Sequence, residues 1–162
     1  MIHLKNLGDF ESVPDLVTDI INGNITALES ALKNGLDIHK LIQIGKYSEY
    51  LPLQLALVMD CLPSVKWLVE HGADLNDKEN PSFLLTVRYG NQEIVDYVVA
   101  YGANIHALNS VDVDAFQAAL YGKKYENLQL IHDLGHTVQK YGGRAFRNAI
   151  IDKNYEVLDF FI

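Results

Sequence analysis

One recurrence constrains this chain more than any other feature. Glycine returns at Gly35, Gly72, Gly102 and Gly135, at spacings of 37, 30 and 33 residues. The residues just after each glycine rhyme: Gly35-Leu36-Asp37-Ile38-His39, Gly72-Ala73-Asp74-Leu75-Asn76, Gly102-Ala103-Asn104-Ile105-His106 and Gly135-His136-Thr137-Val138-Gln139. A glycine at such a point supplies the left-handed residue that ends a helix. A period of this length marks an array of small stacked units.

The register extends upstream. Leu16, Leu53, Phe83, Phe116 and Phe146 share a slot near the start of a first helix. Three residues on stand Asp19, Ala56, Thr86, Ala119 and Ala149, mostly small, which lets helices approach closely. Leu28, Val65, Val95, Leu128 and Leu158 share a slot in a second helix, and Ala31, Leu68, Val98, Ile131 and Phe161 another. Apolar residues three and four apart form one helical face. The register predicts repeats at about 14–50, 51–80, 81–113, 114–143 and 144–162, the last incomplete, with residues 1–13 as an N-terminal cap. Residues 40–50 carry extra length and are expected to project as a loop.

These units resemble ankyrin repeats. The third matches best, with Gly90-Asn91, then Glu93-Ile94-Val95-Asp96-Tyr97-Val98-Val99, then Gly102-Ala103-Asn104-Ile105. The second offers Leu51-Pro52-Leu53-Gln54-Leu55-Ala56 and Gly72-Ala73-Asp74-Leu75-Asn76. The resemblance implies an all-α ankyrin-repeat solenoid of stacked helix-turn-helix units over residues 14–162, a single ankyrin-repeat domain. The family's histidine in T-P-L-H is replaced in all five units, by Val17, Gln54, Leu84, Gln117 and Arg147.

Length and composition agree with one globular body. The chain has 162 residues, 49% of them apolar and 21% charged, enough to build a core and too apolar for disorder. Its net charge of −8 repels phosphate backbones, so no nucleic-acid partner is expected. No apolar run approaches the ~18 residues of a membrane span, and no membrane role is expected. The single cysteine, Cys61, excludes an intrachain disulfide and fits a cytoplasmic setting.

No catalytic motif is present, so no enzyme activity and no cofactor are expected. His132 and His136 have a four-residue spacing, but a metal needs three or four ligands. His132 also falls in an apolar slot, so no metal site is expected. His39, His71 and His106 recur at repeat spacing and read as fold residues. Cys61, just before the helix opened by Pro63, reads as a buried, inert thiol.

The expected function is a non-enzymatic protein-protein interaction module that binds through a concave groove and hairpin tips. The alternative is an inhibitor or immunity-type protein that blocks a basic enzyme or toxin, motivated by the acidic charge. In ankyrin arrays the variable positions lie on hairpin tips and the first helices. Here they include Tyr50, Met59, Arg88, Tyr89, Tyr101, Tyr121 and Asp152, with Tyr47 in the long loop. Tyrosine offers large contact area at low rotamer entropy, and arginine among tyrosines is typical of binding hot spots. The chain ends at Phe160-Phe161-Ile162, inside a second helix. Either a longer protein continues there, or this end packs on something. A monomer or a weak homodimer through the C-terminal helix is expected.

Overall fold

The computed structural model describes residues 15–44, 48–135 and, beyond them, 147, 150, 151, 153, 155 and 158. The chain divides into two compact units, Met1–Leu75 and Asn76–Ile162.

The first unit holds α1 (Asp15–Asn22), α2 (Ile25–Lys33), β1 (Ile42–Ile44), β2 (Ser48–Tyr50), α3 (Pro52–Val58) and α4 (Leu62–Glu70). The second holds α5 (Ser82–Tyr89), α6 (Gln92–Ala100), α7 (Ala115–Gly122) and α8 (Glu126–Asp133). Each pair of helices is joined by a two- or three-residue turn, which makes its members antiparallel neighbours. The all-α repeat architecture expected from the register is therefore what the described residues adopt.

Helix ends are set by local chemistry. Gly35, Gly72, Gly102 and Gly135 have φ between +89° and +94°. At the first three, the amides of the glycine and its successor turn back onto the helix: Gly35 N–H to Leu32 O and Leu36 N–H to Ala31 O, Gly72 N–H to Val69 O and Ala73 N–H to Leu68 O, Gly102 N–H to Val99 O and Ala103 N–H to Val98 O. This pairing satisfies carbonyls the helix leaves open. At helix starts, the side chains of Asn24, Asn91 and Asp114 accept from Ala27, Ile94 and Gln117 N–H. Such caps are each worth about 1 kcal/mol.

The core is the register made solid. In the first unit, Ile20, Leu28, Ala56, Val65 and Leu68 are wholly buried where α1, α2, α3 and α4 meet. In the second, Phe83, Thr86, Val87 and Ala119 fill the α5–α7 contact, and Ile94, Val95, Val98 and Ile131 line the second helices. The small slot works as expected: Ala56, Thr86 and Ala119 are all 0% exposed. Thr86 hides its hydroxyl by donating to Ser82 O at 2.6 Å.

Three expectations change. Residues 40–50 are not merely a loop: β1 and β2 form an antiparallel hairpin with Ile42 opposite Tyr50 and Ile44 opposite Ser48. Ile42-Gln43-Ile44 alternates apolar and polar, and Ile44 is buried, so period two rather than loop composition governs this stretch. His132 does not occupy an apolar position. Its side chain is 57% exposed beside Asp133, because the buried positions of α8 include Leu128 and Ile131 on another face. Cys61 is half-buried rather than buried. It sits immediately before α4, its Sγ 3.6 Å from Ser64 Oγ.

The substituted histidine slot has a local answer. Gln54 is buried, and its Oε1 accepts from Leu51 N–H at 3.1 Å. The side chain thus closes the start of its own helix α3.

Candidate functional site: an arginine between two tyrosines

The second unit brings three of the expected contact residues together. Arg88 lies in the last turn of α5, where its guanidinium stands 5.0 Å from the Tyr89 ring centroid. It also stands 6.0 Å from the ring of Tyr121, one repeat on, in α7. Both distances fall within the reach of a cation–π attraction. Arg88 is exposed, Tyr121 is 45% exposed and Tyr89 is half-buried. Among the described residues, no carboxylate pairs with Arg88.

Sequence neighbours do not explain how Tyr121 reaches Arg88. Gly122 explains it. A side chain at Gly122 would overlap the carbonyl oxygen of Arg88 and put its first carbon 2.7 Å from the Arg88 carbonyl carbon. Glycine therefore permits α7 to lie directly against the end of α5. In the same register slot the other described repeats carry Asn22, Met59 and Tyr89.

A second device holds this end of the helices. Asn127 in α8 is wholly buried, and its amide donates to Val87 O at 3.0 Å and Gly90 O at 3.3 Å. These are carbonyls that α5 leaves open at its C-terminus. The first unit repeats the arrangement: buried Ser64 in α4 donates to Ile20 O of α1 at 2.6 Å. Ser64 and Asn127 share a register slot, as do the acceptors Ile20 and Val87. The sequence carries the signal as polar residues at a position that is Ala27 and Ile94 elsewhere.

The remaining expected contact residues lie apart from this cluster. Tyr101 comes just after α6, at the opposite end of that helix pair from Arg88. It is 54% exposed and stacks on Tyr97 at 4.3 Å between centroids. In the first unit, Tyr50 is half-buried at the end of β2 and Met59 half-buried after α3. Tyr47 and Asp152 lie outside the described residues, as do His136 and Phe160-Phe161-Ile162.

Other places offer less. A shallow cleft of about 380 Å³ lies between the loops near Asn76 and Asn104, but its Asn76, Asp77 and Asn104 side chains are committed to the fold. Asn76 accepts from Asn104 N–H at 2.7 Å and donates to Gly102 O at 3.1 Å. Asp77 accepts from Glu79 and Asn80 N–H, and Asn104 from His106 N–H. His71 stacks on Trp67, and its Nδ1 lies 2.7 Å from the Trp67 carbonyl. No group of three or more His, Cys, Asp or Glu side chains among the described residues could hold a metal. No helix among them is long and apolar enough to cross a membrane.

Comparison with known proteins agrees with this architecture. The family model described as Ankyrin repeat matches residues 49–80, which contain α3 and α4. Over 42 residues the chain is 45% identical to ankyrin repeat protein R886 of Acanthamoeba polyphaga mimivirus, a stretch covering 26% of this chain. The match spans only 32% of that relative's length. The in-register repeats, the glycine-capped helix pairs and these similarities together support an ankyrin-repeat architecture for the chain.

Proposed function

We propose that the chain is a non-enzymatic protein-interaction module whose contact surface is centred on Arg88, Tyr89 and Tyr121. Ankyrin repeats generally mediate protein–protein interaction, and function has to be argued from a site. The observation that carries this reading is one exposed guanidinium held against two tyrosine rings with no carboxylate partner among the described residues. Arginine and tyrosine are the residues on which binding energy concentrates. The core of the second unit is complete without them, since α5 and α7 meet through Phe83, Thr86, Val87 and Ala119.

The reading takes residues 1–162 as one ankyrin-repeat domain of about five repeats acting in the cytoplasm, with the partner lying along the first helices and hairpin tips. Its test is affinity capture in the native cell with wild type against the Tyr89→Ala/Tyr121→Ala double variant. Loss of one specific protein from the variant supports the surface. Equal recovery of every captured protein retires it.

An inhibitor or immunity-type role against a basic enzyme or toxin is the second reading, supported by the net charge of −8. It predicts a salt-sensitive complex with a basic partner, whose contacts would lie on acidic faces rather than at Arg88.

A further inference from the structure

We propose that the Arg88 edge of the second unit recognises an extended, acidic segment of a protein partner, a ligand of the same sign as the chain's own net charge. This rests on the reading of the same cluster as the contact surface. It adds the chemistry of what binds there.

Three unpaired cations stand at related register positions. Arg88 ends α5. Lys123 comes directly after Gly122, the residue whose backbone lies against Arg88. Lys153 occupies the Lys123 slot one repeat on. All three are exposed, and none has an acidic partner among the described residues. Lys124, by contrast, is engaged by Glu126 at 3.6 Å.

The backbone at the two lysines adds a second observation. Lys123 has φ +57° and Lys153 φ +52°, a conformation that long side chains seldom adopt. The equivalent positions are Gly23, with φ +67°, in the first repeat and Asp60, with φ +57°, in the second. Glycine would relieve the strain at no loss of core. The turn therefore imposes the conformation at this slot, and what distinguishes the second unit is that it places lysine there twice where the first unit carries Gly23 and Asp60.

The chemistry favours carboxylates. The guanidinium stands near two tyrosine rings on an exposed side chain, and its planar N–H fork is suited to meet a carboxylate with two parallel hydrogen bonds. The rings also restrict the side chain before binding, which lowers the ordering cost. Packed helices of neighbouring repeats lie ~8–10 Å apart, a distance that about three residues of extended chain span. The matching segment therefore carries an acid at every third residue. A nucleic acid fits less well. The exposed Glu93 and Glu126, in the first turns of α6 and α8, interrupt the edge with negative charge. A continuous phosphate backbone has to cross them.

The test uses fluorescence anisotropy on the full chain at low and physiological salt. The probes are a labelled peptide of about four Gly-Ser-Glu triplets, so that Glu recurs at the ~8–10 Å helix spacing, its Gln counterpart, its Lys counterpart and a single-stranded DNA of matched length. The expected result is preference for the Glu peptide over the Gln peptide, weakened by salt. Arg88→Gln and Lys123→Gln should each lower affinity about two- to fivefold, the scale of an exposed ion pair. Arg88→Lys should recover only part of that loss, because it restores charge without the fork. Circular dichroism of each variant confirms an intact fold.

Equal binding of the Glu and Gln peptides, or indifference to Arg88→Gln, overturns the acidic assignment. Tighter binding of the DNA than of the Glu peptide overturns the protein segment in favour of a polyanion. If the Tyr89→Ala/Tyr121→Ala variant loses its native partner while the Glu and Gln peptides bind alike, the contact surface stands and only its charge preference fails. If that variant keeps every partner, the surface itself fails.

Discussion

Gly122→Ala is the substitution on which this structure makes its least intuitive demand. Alanine normally stabilises a helix relative to glycine, by about 0.5–1 kcal/mol in a helix interior and less at a helix end. Gly122 is the last residue of α7, so the sequence alone predicts a small gain. The tertiary contact reverses the sign. The new methyl would overlap the Arg88 carbonyl oxygen and sit 2.7 Å and 3.0 Å from the Arg88 carbonyl carbon and Cα. Carbon–carbon contacts are optimal at about 3.5–4.0 Å. The end of α7 therefore has to move away from α5 by roughly 1 Å, and a gap of that size forfeits a quarter to a half of each contact it opens. The obstacle is backbone, which cannot rotate aside as a side chain can. Overpacking of this kind costs about 1–3 kcal/mol, which leaves a net loss of roughly 1–2 kcal/mol after the helix gain is subtracted. The sole tryptophan, Trp67, lies in the first unit, so its fluorescence is a poor reporter. Urea titration followed by far-ultraviolet circular dichroism, with hydrogen exchange of the α5 and α7 amides, reads the relevant interface. An unchanged or higher midpoint, with undiminished protection of α5, refutes the close approach. It would also remove the reason Tyr121 stands at Arg88.

Three further outcomes are expected. Asn127→Ala leaves the Val87 and Gly90 carbonyls without their buried donor. It should cost about 1–3 kcal/mol by urea titration, while Ser64→Ala, removing one donor to Ile20 O, should cost less. Lys123→Gly relieves a positive φ of +57° at an exposed site and should raise stability by about 0.5–1 kcal/mol. If Lys123 serves recognition, the same variant binds the acidic probe more weakly, so gain in stability and loss in affinity come together. Asp114→Ala removes the acceptor for Gln117 N–H at the start of α7 and should cost about 1 kcal/mol in thermal or chemical denaturation.

Much of the fold is legible in the sequence because it is local and periodic. The glycine after each second helix has to be left-handed, and at Gly35, Gly72, Gly102 and Gly135 it is. The slots of Phe83 and Val95 have to be buried, and both residues are. The hairpin at 42–50 escapes a sequence reading because three residues of alternation are a weak signal beside helical registers that recur in every unit. His132 lies next to a core position, and on a helix about 100° of rotation separates one residue from the next. That step is enough to carry it from the buried face of Ile131 to solvent. The candidate site is half legible. Composition and register name Arg88, Tyr89 and Tyr121, and they also name Tyr101, which stands at a different end of the helix pair.

Taken alone, the sequence determined the repeat unit, its helix pairs, their caps and the residues of the apolar face. Each of these depends on neighbours within one turn or one repeat, where spacing is enough. Tertiary structure alone decided which exposed residues meet. Arg88 and Tyr121 are 33 positions apart, and their contact depends on how closely two helices pack. That distance is set by the missing side chain at Gly122 and by the buried amide of Asn127 on the carbonyls of α5. Spacing cannot encode it, because a closest approach belongs to two surfaces at once.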